Sequence, residues 1–217
     1  MSEGLDVAAA TAWLRRFADR IADEKGWLTE LDSAIGDGDH GINMHRGMSA
    51  VAADLADQPA DLATLFKRTG MKLVSSVGGA SGPLYGTFFL RLATAAGDAA
   101  SLDGAGLAST LRAGCDGVVA RGKAELGEKT MLDALLPAAD ALEAAVADGK
   151  EPADALTAAA EAARAGREST IPMQATKGRA SYLGERSVGH LDPGAASATL
   201  LIETLADAVA DEVADES

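Results

Sequence analysis

The segment Asp32-Ser33-Ala34-Ile35-Gly36-Asp37-Gly38-Asp39-His40-Gly41 lies between two stretches of helical periodicity and holds three carboxylates and three glycines. Carboxylates this close together repel one another unless a cation lies between them. Glycine allows the backbone to turn sharply and to approach a ligand. The segment therefore predicts a loop between helices that is built around divalent cations, with room for a phosphate beside them.

The number and type of ligands narrow the choice of cation. Oxygen ligands from Asp32, Asp37 and Asp39 favour Mg²⁺, Mn²⁺ or Ca²⁺ over zinc. An EF-hand would need oxygen ligands at loop positions 5 and 12, where a count from Asp37 reaches Gly41 and Met48. Too few ligands remain for a calcium cage, which favours Mg²⁺ completed by water and substrate phosphate. The alternative is a surface turn that caps the next helix.

The rest of the chain has helical periodicity, and period-2 alternation is nearly absent. We predict an all-α single domain, residues 1–217, in which short connections favour antiparallel neighbours. About eight helices are expected, at 5–21, 43–55, 60–74, 84–96, 103–120, 131–148, 152–168 and 195–215. The first is predicted to end at Lys25-Gly26, and the second near Gln58-Pro59.

Composition excludes several classes of protein. The 217 residues are 47% hydrophobic and 24% charged, which is typical of a globular domain. The net charge of −14 argues against nucleic-acid binding, which needs a basic face. The single cysteine, Cys115, excludes a disulfide framework within the chain and is expected to be buried. Neither a signal peptide nor a membrane-spanning run is visible, so we expect a cytoplasmic protein.

A second glycine-rich segment is Gly78-Gly79-Ala80-Ser81-Gly82-Pro83-Leu84-Tyr85-Gly86. It opens a predicted helix, where free N–H groups bind anions, and the Ser81 hydroxyl adds a donor. The Gly-Lys-Ser/Thr ending of a Walker A loop is missing. A plain tight turn is the alternative.

The long polar stretch 169–194 contains Lys177, Arg179 and Arg186 in an otherwise acidic chain. Long loops in compact domains are usually functional or disordered, and arginine suits bidentate binding of phosphate. A solvated loop with ordinary surface charges is the alternative. In the smaller segment 127–131, Lys129 is either a site residue or a surface charge, and Met131 is either core or a wall against a nucleotide base.

Three features combine here: acids that could hold a metal, a glycine-rich segment that could bind an anion, and the stretch 169–194, called the basic loop below. Together they are the parts of a nucleotide phosphoryl-transfer site. Such a site positions phosphates and neutralises charge, so it needs no covalent nucleophile, and no catalytic residue of that kind is predicted. His40, beside the acids, is a candidate donor to a phosphate. His45 is expected on a helix surface.

These segments resemble the L subunit of dihydroxyacetone kinase, the DhaL family. The similarity rests on Gly36 to Gly41, Gly78 to Gly86, Lys129-Thr130-Met131-Leu132-Asp133 and Ala175 to Gly194, in that order along almost the whole chain. The resemblance implies an up-down barrel of eight antiparallel helices with a nucleotide site at one end. It implies two Mg²⁺ ions held by Asp32, Asp37 and Asp39 that bridge the phosphates of ADP or ATP. It also implies a nucleotide-binding set made of His40, Gly41, Asn43, Ser81, Gly82, Gly122, Met131, Arg179, Asp192, Pro193 and Gly194.

The same resemblance implies partners. Dihydroxyacetone would be held on a histidine of a separate K subunit, and ATP-dependent members usually fuse K and L domains. A stand-alone L chain resembles the phosphotransferase-system type, in which ADP stays bound and a phosphohistidine-carrying M subunit recharges it. Membership of an ATP-dependent ketose kinase, a nucleotide-sensing role beside a transcription regulator, and a Mg²⁺-dependent phosphatase are the alternatives. We expect a homodimer.

Overall fold

A computed structural model describes residues 4–56 and 59–215, with the side chains of 212–215 left out. Over these residues the chain forms nine α-helices, one 3-10 helix and two short strands. The elements are β1 (Leu5–Asp6), α1 (Val7–Asp23), α2 (Lys25–Ile35), α3 (His40–Asp54), α4 (Leu62–Ser76), α5 (Ser81–Ala96), β2 (Ser101–Leu102), α6 (Gly104–Gly122), α7 (Leu132–Ala147), α8 (Pro152–Ser169), the 3-10 helix (Arg179–Ser187) and α9 (Pro193–Asp215). The predicted all-α class is confirmed, although ten helices form instead of eight.

Helix α2 was not predicted, because Gly26 favours a helix end. The interruption is in fact a single residue: the Glu24 N–H donates to the Arg20 carbonyl, and the Glu24 carbonyl accepts from the Leu28 N–H. Burial of Leu28 at one face of α2 then outweighs the weak propensity of glycine. The predicted end of the following helix near Gln58-Pro59 falls partly outside the described residues, and α3 ends at Asp54.

The second unpredicted helix lies within the polar stretch 169–194. It is a 3-10 segment interrupted at Gly184, where φ is 57°. Its apolar residues pack on α2 in a small separate core of Ile35, Ala175 and Ala180. At the other end of the molecule, β1 and β2 form a two-stranded antiparallel pair with Leu5 opposite Leu102.

Eight of the α-helices form a closed ring. Helices α1, α3, α4, α5, α6, α7, α8 and α9 each contact the next, and α9 contacts α1. Short connections between most neighbours make the ring an up-down barrel, which confirms the architecture that the family resemblance implied. Helix α2 lies outside the ring against α3 and α9, so Asp32 in its last turn lies at one end of the barrel.

Aromatic and aliphatic side chains fill the centre of the barrel. Trp13 contacts the rings of Phe66 and Phe89, and its indole N–H donates to the Leu201 carbonyl at 2.9 Å. Cys115 is fully buried, as predicted, and His45 is partly exposed on α3. None of the described helices is both long enough and apolar enough to span a bilayer.

Candidate functional site

The structure brings the three predicted metal ligands together. One carboxylate oxygen from each of Asp32, Asp37 and Asp39 lies within 4.8 Å of the other two. Asp32 fixes the loop, since its Oδ2 accepts the N–H groups of Asp39 at 2.8 Å and His40 at 3.1 Å. Gly38 has a φ of 71°, a conformation that disfavours other residues. The two backbone hydrogen bonds hold the Asp32 carboxylate in place against the turn that carries Asp37 and Asp39.

His40 begins α3 and is buried beside the acids. Its Nε2 lies 2.9 Å from the Ser197 hydroxyl of α9, and its Nδ1 lies 3.2 Å from the Ser81 hydroxyl of α5. The Tyr85 hydroxyl in turn lies 2.7 Å from that of Ser197. Burial lowers the pKa of His40 below its ordinary value, while Asp32 opposes that shift.

The glycine-rich segment 78–86 runs into α5, which begins at Ser81, three residues before the predicted start at Leu84. A helix start in this segment fits the predicted anion site, whose N–H groups are free to bind. A side chain on Gly78 would collide with the Asn43 Oδ1, which also accepts from Arg46 at 2.6 Å. A side chain on Gly82 would collide with the Val77 carbonyl. Asn43 and Gly82 thus shape the turn, while Ser81 faces the cavity described below.

The basic loop reaches the acidic loop. Arg179 Nη2 lies 3.0 Å from Asp37 Oδ2, and Lys177 lies 4.0 Å from Glu128. Arg179 is largely exposed, so this ion pair contributes little to stability. The position of Arg179 matters for binding instead, because a guanidinium beside the acid cluster can bind an anion that a metal ion also binds.

The interpretation of Lys129 as a surface charge is wrong. The residue is 1% exposed and has a φ of 63°. Its ammonium donates to the carbonyls of Thr170 at 2.7 Å and Met173 at 3.1 Å, and also to that of His190. Lys129 therefore binds both ends of the basic loop. Burial lowers the pKa of its ammonium, and the neighbouring Asp192 opposes this.

Asp192 precedes α9 and accepts the Ala195 N–H at 2.7 Å. The pKa of its carboxyl is raised to about 7, chiefly by burial and also by the Asp133 and Asp32 carboxylates, while the Ala195 N–H and Lys129 act in the opposite direction. Below pH 7 the folded protein therefore holds a proton on Asp192 that the unfolded chain has lost above its ordinary pKa near 3.8. The Asp192 contribution to stability falls as the pH rises from about 4 to about 7 and is constant above that.

Replacing Asp192 with asparagine should remove this pH dependence. Asparagine is neutral and can still cap α9. The stability of Asp192→Asn relative to wild type should therefore rise between pH 5 and pH 8, by at most about 1.4 kcal/mol per pH unit below pH 7. Urea unfolding at several pH values measures this. Asp103→Asn, at the exposed cap of α6, is the matched control, and an equal pH trend in both variants would contradict the assignment.

All these segments face one cavity of about 420 Å³. Of the predicted site residues, eleven line it: Asp32, Asp37, Asp39, His40, Ser81, Gly122, Met131, Arg179, Asp192, Pro193 and Gly194. Three do not: Gly41, Asn43 and Gly82. Gly41 packs on the α2 backbone, where a side chain would collide with the Lys25 carbonyl. The roles of all fourteen toward metal or nucleotide stay predictions.

The cavity has a charged end and an apolar wall. The acids and the basic loop form the charged end, and Leu84, Val118 and Met131 contribute to the wall. Sequence reasoning did not assign Leu84 or Val118 to the site, since each fits a core position of a helix equally well. It also missed Ser197, which is 0% exposed and belongs to no motif. Its position one turn after Pro193 on α9 was the available signal.

Comparison with known proteins agrees with this geometry. Residues 34–207 match the DAK2 domain model. The chain is 50% identical over 195 residues to the ADP-binding subunit DhaL of PEP-dependent dihydroxyacetone kinase from Escherichia coli, covering 89% of this chain and 93% of the relative. It is 43% identical over 207 residues to the ADP-binding subunit DhaL of PTS-dependent dihydroxyacetone kinase from Lactococcus lactis, covering 95% of this chain and 100% of the relative.

A solved structure shares the fold. The dihydroxyacetone kinase of C. freundii, in complex with AMP-PNP and Mg²⁺, matches with a TM-score of 0.71 and 30% identity. The match covers 92% of this chain and 34% of the C. freundii chain. The present chain therefore corresponds to about one third of that longer kinase and to nearly the full length of the E. coli subunit.

Proposed function

The chain belongs to the DAK2 domain family and, within it, to the DhaL subunits of dihydroxyacetone kinase, and from this membership we propose that it is a nucleotide-binding phosphoryl-transfer subunit. In this proposal it holds ADP or ATP with Mg²⁺, receives a phosphoryl group from a phosphohistidine-carrying M subunit, and delivers it to dihydroxyacetone on a K subunit. The observation that carries the proposal is the contact of Arg179 with Asp37 at 3.0 Å, since it joins the basic loop to the acid cluster in one cavity.

The residues present fit the cofactor. A cavity of about 420 Å³ is within the range of small-molecule sites, roughly 300–1,000 Å³. Asp32, Asp37 and Asp39 offer only oxygen ligands, which suits Mg²⁺. We propose that they hold two Mg²⁺ ions, with the remaining ligands from water and phosphate. The C. freundii kinase with AMP-PNP and Mg²⁺ supports this assignment by its shared fold.

The remaining site residues have distinct roles in the proposal. Arg179 binds phosphate oxygens together with the N–H groups at the start of α5, where Ser81 also lines the cavity. Met131, Leu84 and Gly122 border the base, where apolar contact replaces water. The cavity is also lined by His40, Asp192, Pro193 and Gly194. Gly41, Asn43 and Gly82 act indirectly, through the backbone turns that they permit.

When bound, the Mg²⁺–nucleotide carries the phosphoryl group and neutralises its charge. The contribution of this chain is then to position the nucleotide and to exclude water from it. No residue of the cavity is required as a covalent nucleophile. Buried Tyr85 and largely exposed Arg179 both line the cavity, so it extends from the protein interior to the surface.

The phosphotransferase-system mechanism is supported by the relatives that the chain matches over about nine tenths or more of both lengths. The E. coli and L. lactis subunits are described as ADP-binding, and their kinases as PEP-dependent and PTS-dependent. The longer C. freundii kinase, with AMP-PNP, represents the alternative of an ATP-dependent enzyme. A cytoplasmic location, a homodimer and contact with a transcription regulator remain further parts of the proposal.

The proposal predicts that ADP behaves as a bound cofactor. Native mass spectrometry of the purified chain should detect ADP with Mg²⁺. Dihydroxyacetone phosphate should form only when a K subunit, an M subunit and a phosphoenolpyruvate-driven phosphoryl supply are all present. The full mixture without the M subunit, supplied with excess ATP, is the control. Rapid turnover of free ATP in that control would favour the ATP-dependent alternative and refute the cofactor mechanism.

A further inference from the structure

Four side chains link the inner wall of the barrel to the cavity. The Tyr85 hydroxyl lies 2.7 Å from Ser197 Oγ, Ser197 Oγ lies 2.9 Å from His40 Nε2, and His40 Nδ1 lies 3.2 Å from Ser81 Oγ. Tyr85 and Ser197 are 0% exposed. Because buried polar groups bond to each other rather than to bulk water, the protons of these groups can be assigned by counting donors and acceptors.

The count begins at Ser197, which has one proton and three polar neighbours. One neighbour is the Gly194 carbonyl at 3.1 Å, which can only accept. In the Tyr85–Ser197 pair either hydroxyl can donate, and Ser197 is the partner that the described residues offer to the buried Tyr85 hydroxyl. Donation by Tyr85 gives its proton an acceptor, which a buried hydroxyl requires. The Ser197 proton then goes to the Gly194 carbonyl, three residues earlier in the first turn of α9, where serine commonly bonds the backbone.

With its proton committed to Gly194, Ser197 can only accept from His40. The Nε2 atom of His40 must therefore carry a proton.

We propose that Tyr85 and Ser197 are positioning residues that hold His40 as the Nε2–H tautomer. Nδ1 then accepts the Ser81 proton, and Ser81 Oγ presents lone pairs to the cavity. This reverses the sequence interpretation, in which the Ser81 hydroxyl donates to an anion. An oxygen acceptor beside the acid cluster suits Mg²⁺ or a water bound to it, a consequence that rests on the proposed function.

The tautomer is measured by ¹⁵N NMR of the full chain labelled at histidine, without nucleotide. The chain has three histidines, His40, His45 and His190, and the His40→Asn variant assigns the first. We expect a protonated-type shift at Nε2 of His40 and an unprotonated-type shift at Nδ1. Ser197→Ala and Tyr85→Phe should each move both shifts toward an average of the two tautomers. Tyr182→Phe removes an exposed hydroxyl, since Tyr182 is 88% exposed, and should change neither.

A proton on Nδ1 in the wild type would overturn the proposal, as would unchanged shifts in both Ser197→Ala and Tyr85→Phe. Calorimetric titration with ADP tests the consequence for the cation. In Ser197→Ala, the gain in ADP affinity that Mg²⁺ produces should fall about tenfold, as is usual for residues that orient a metal site. The affinity of Ser197→Ala for ADP in the absence of Mg²⁺ should differ less from that of the wild type. If wild type binds no ADP while the NMR result holds, the proposed function fails and the tautomer assignment stands.

Discussion

Replacing Asp39 with asparagine is expected to lower the rate of phosphoryl transfer by about 100-fold or more while the fold stays intact. Asp39 precedes α3, yet its side chain makes no capping hydrogen bond. Its main-chain N–H, which bonds Asp32, is unaffected by the change. The substitution therefore removes one negative charge from the proposed Mg²⁺ site and little else. Initial rates in the reconstituted three-subunit assay measure the loss.

A second readout separates loss of the metal from loss of the fold. The three carboxylates have oxygens within 4.8 Å of one another. Two unit charges at that distance repel by roughly 1 to 3 kcal/mol, depending on the effective dielectric constant. Asp39→Asn relieves part of this repulsion, so the ligand-free variant should melt at the same temperature as wild type or slightly higher. The extra stabilisation that ADP with Mg²⁺ gives to wild type should be absent or much reduced.

Asp98→Asn is the matched control, because it makes the same change in charge at an exposed position between α5 and β2. It should keep the wild-type rate and the wild-type response to ADP with Mg²⁺. If Asp39→Asn retained more than about a third of the wild-type rate, the acid cluster would not be the metal site of the transfer reaction.

The acidic loop could be predicted because its information is local. Asp32, Asp37 and Asp39 lie within eight residues, and three glycines permit the turns that bring their oxygens together. Short-range spacing is therefore enough to predict that these three carboxylates lie together. The same holds for the start of α5, which lies at Ser81 within the glycine-rich segment 78–86.

Other parts of the site depend on tertiary contacts that no local pattern records. Ser197 meets His40 across 157 positions in sequence, and Lys129 meets His190 across 61. Lysine at a turn is usually solvated, so burial of Lys129 follows only from the carbonyls that the basic loop presents to it. Helix α2 was missed for a related reason, because packing outweighed the low helix propensity of Gly26.

Replacing Lys129 with methionine should destabilise the protein by roughly 3 kcal/mol or more and free the basic loop. The ammonium donates to Thr170 and Met173 at one end of this loop and to His190 at the other. Methionine has a similar length but no donor, so three carbonyls lose a charged partner, at about 1–3 kcal/mol for each buried group left unsatisfied. The melting temperature should fall by roughly 10 °C for a chain of this size.

The loss of the Lys129 hydrogen bonds should also be detectable in the basic loop itself. Trypsin cleaves after lysine and arginine, and Lys177, Arg179 and Arg186 lie between the two anchored ends. Lys129→Met should therefore be cut in this loop faster than wild type, well below its melting temperature. Lys123→Met is the matched control, because Lys123 also has a positive φ, 51°, but is exposed. If Lys129→Met resisted trypsin as wild type does, the bond from the Gly189 N–H to the Ile171 carbonyl, at 2.8 Å, would be sufficient to close the loop.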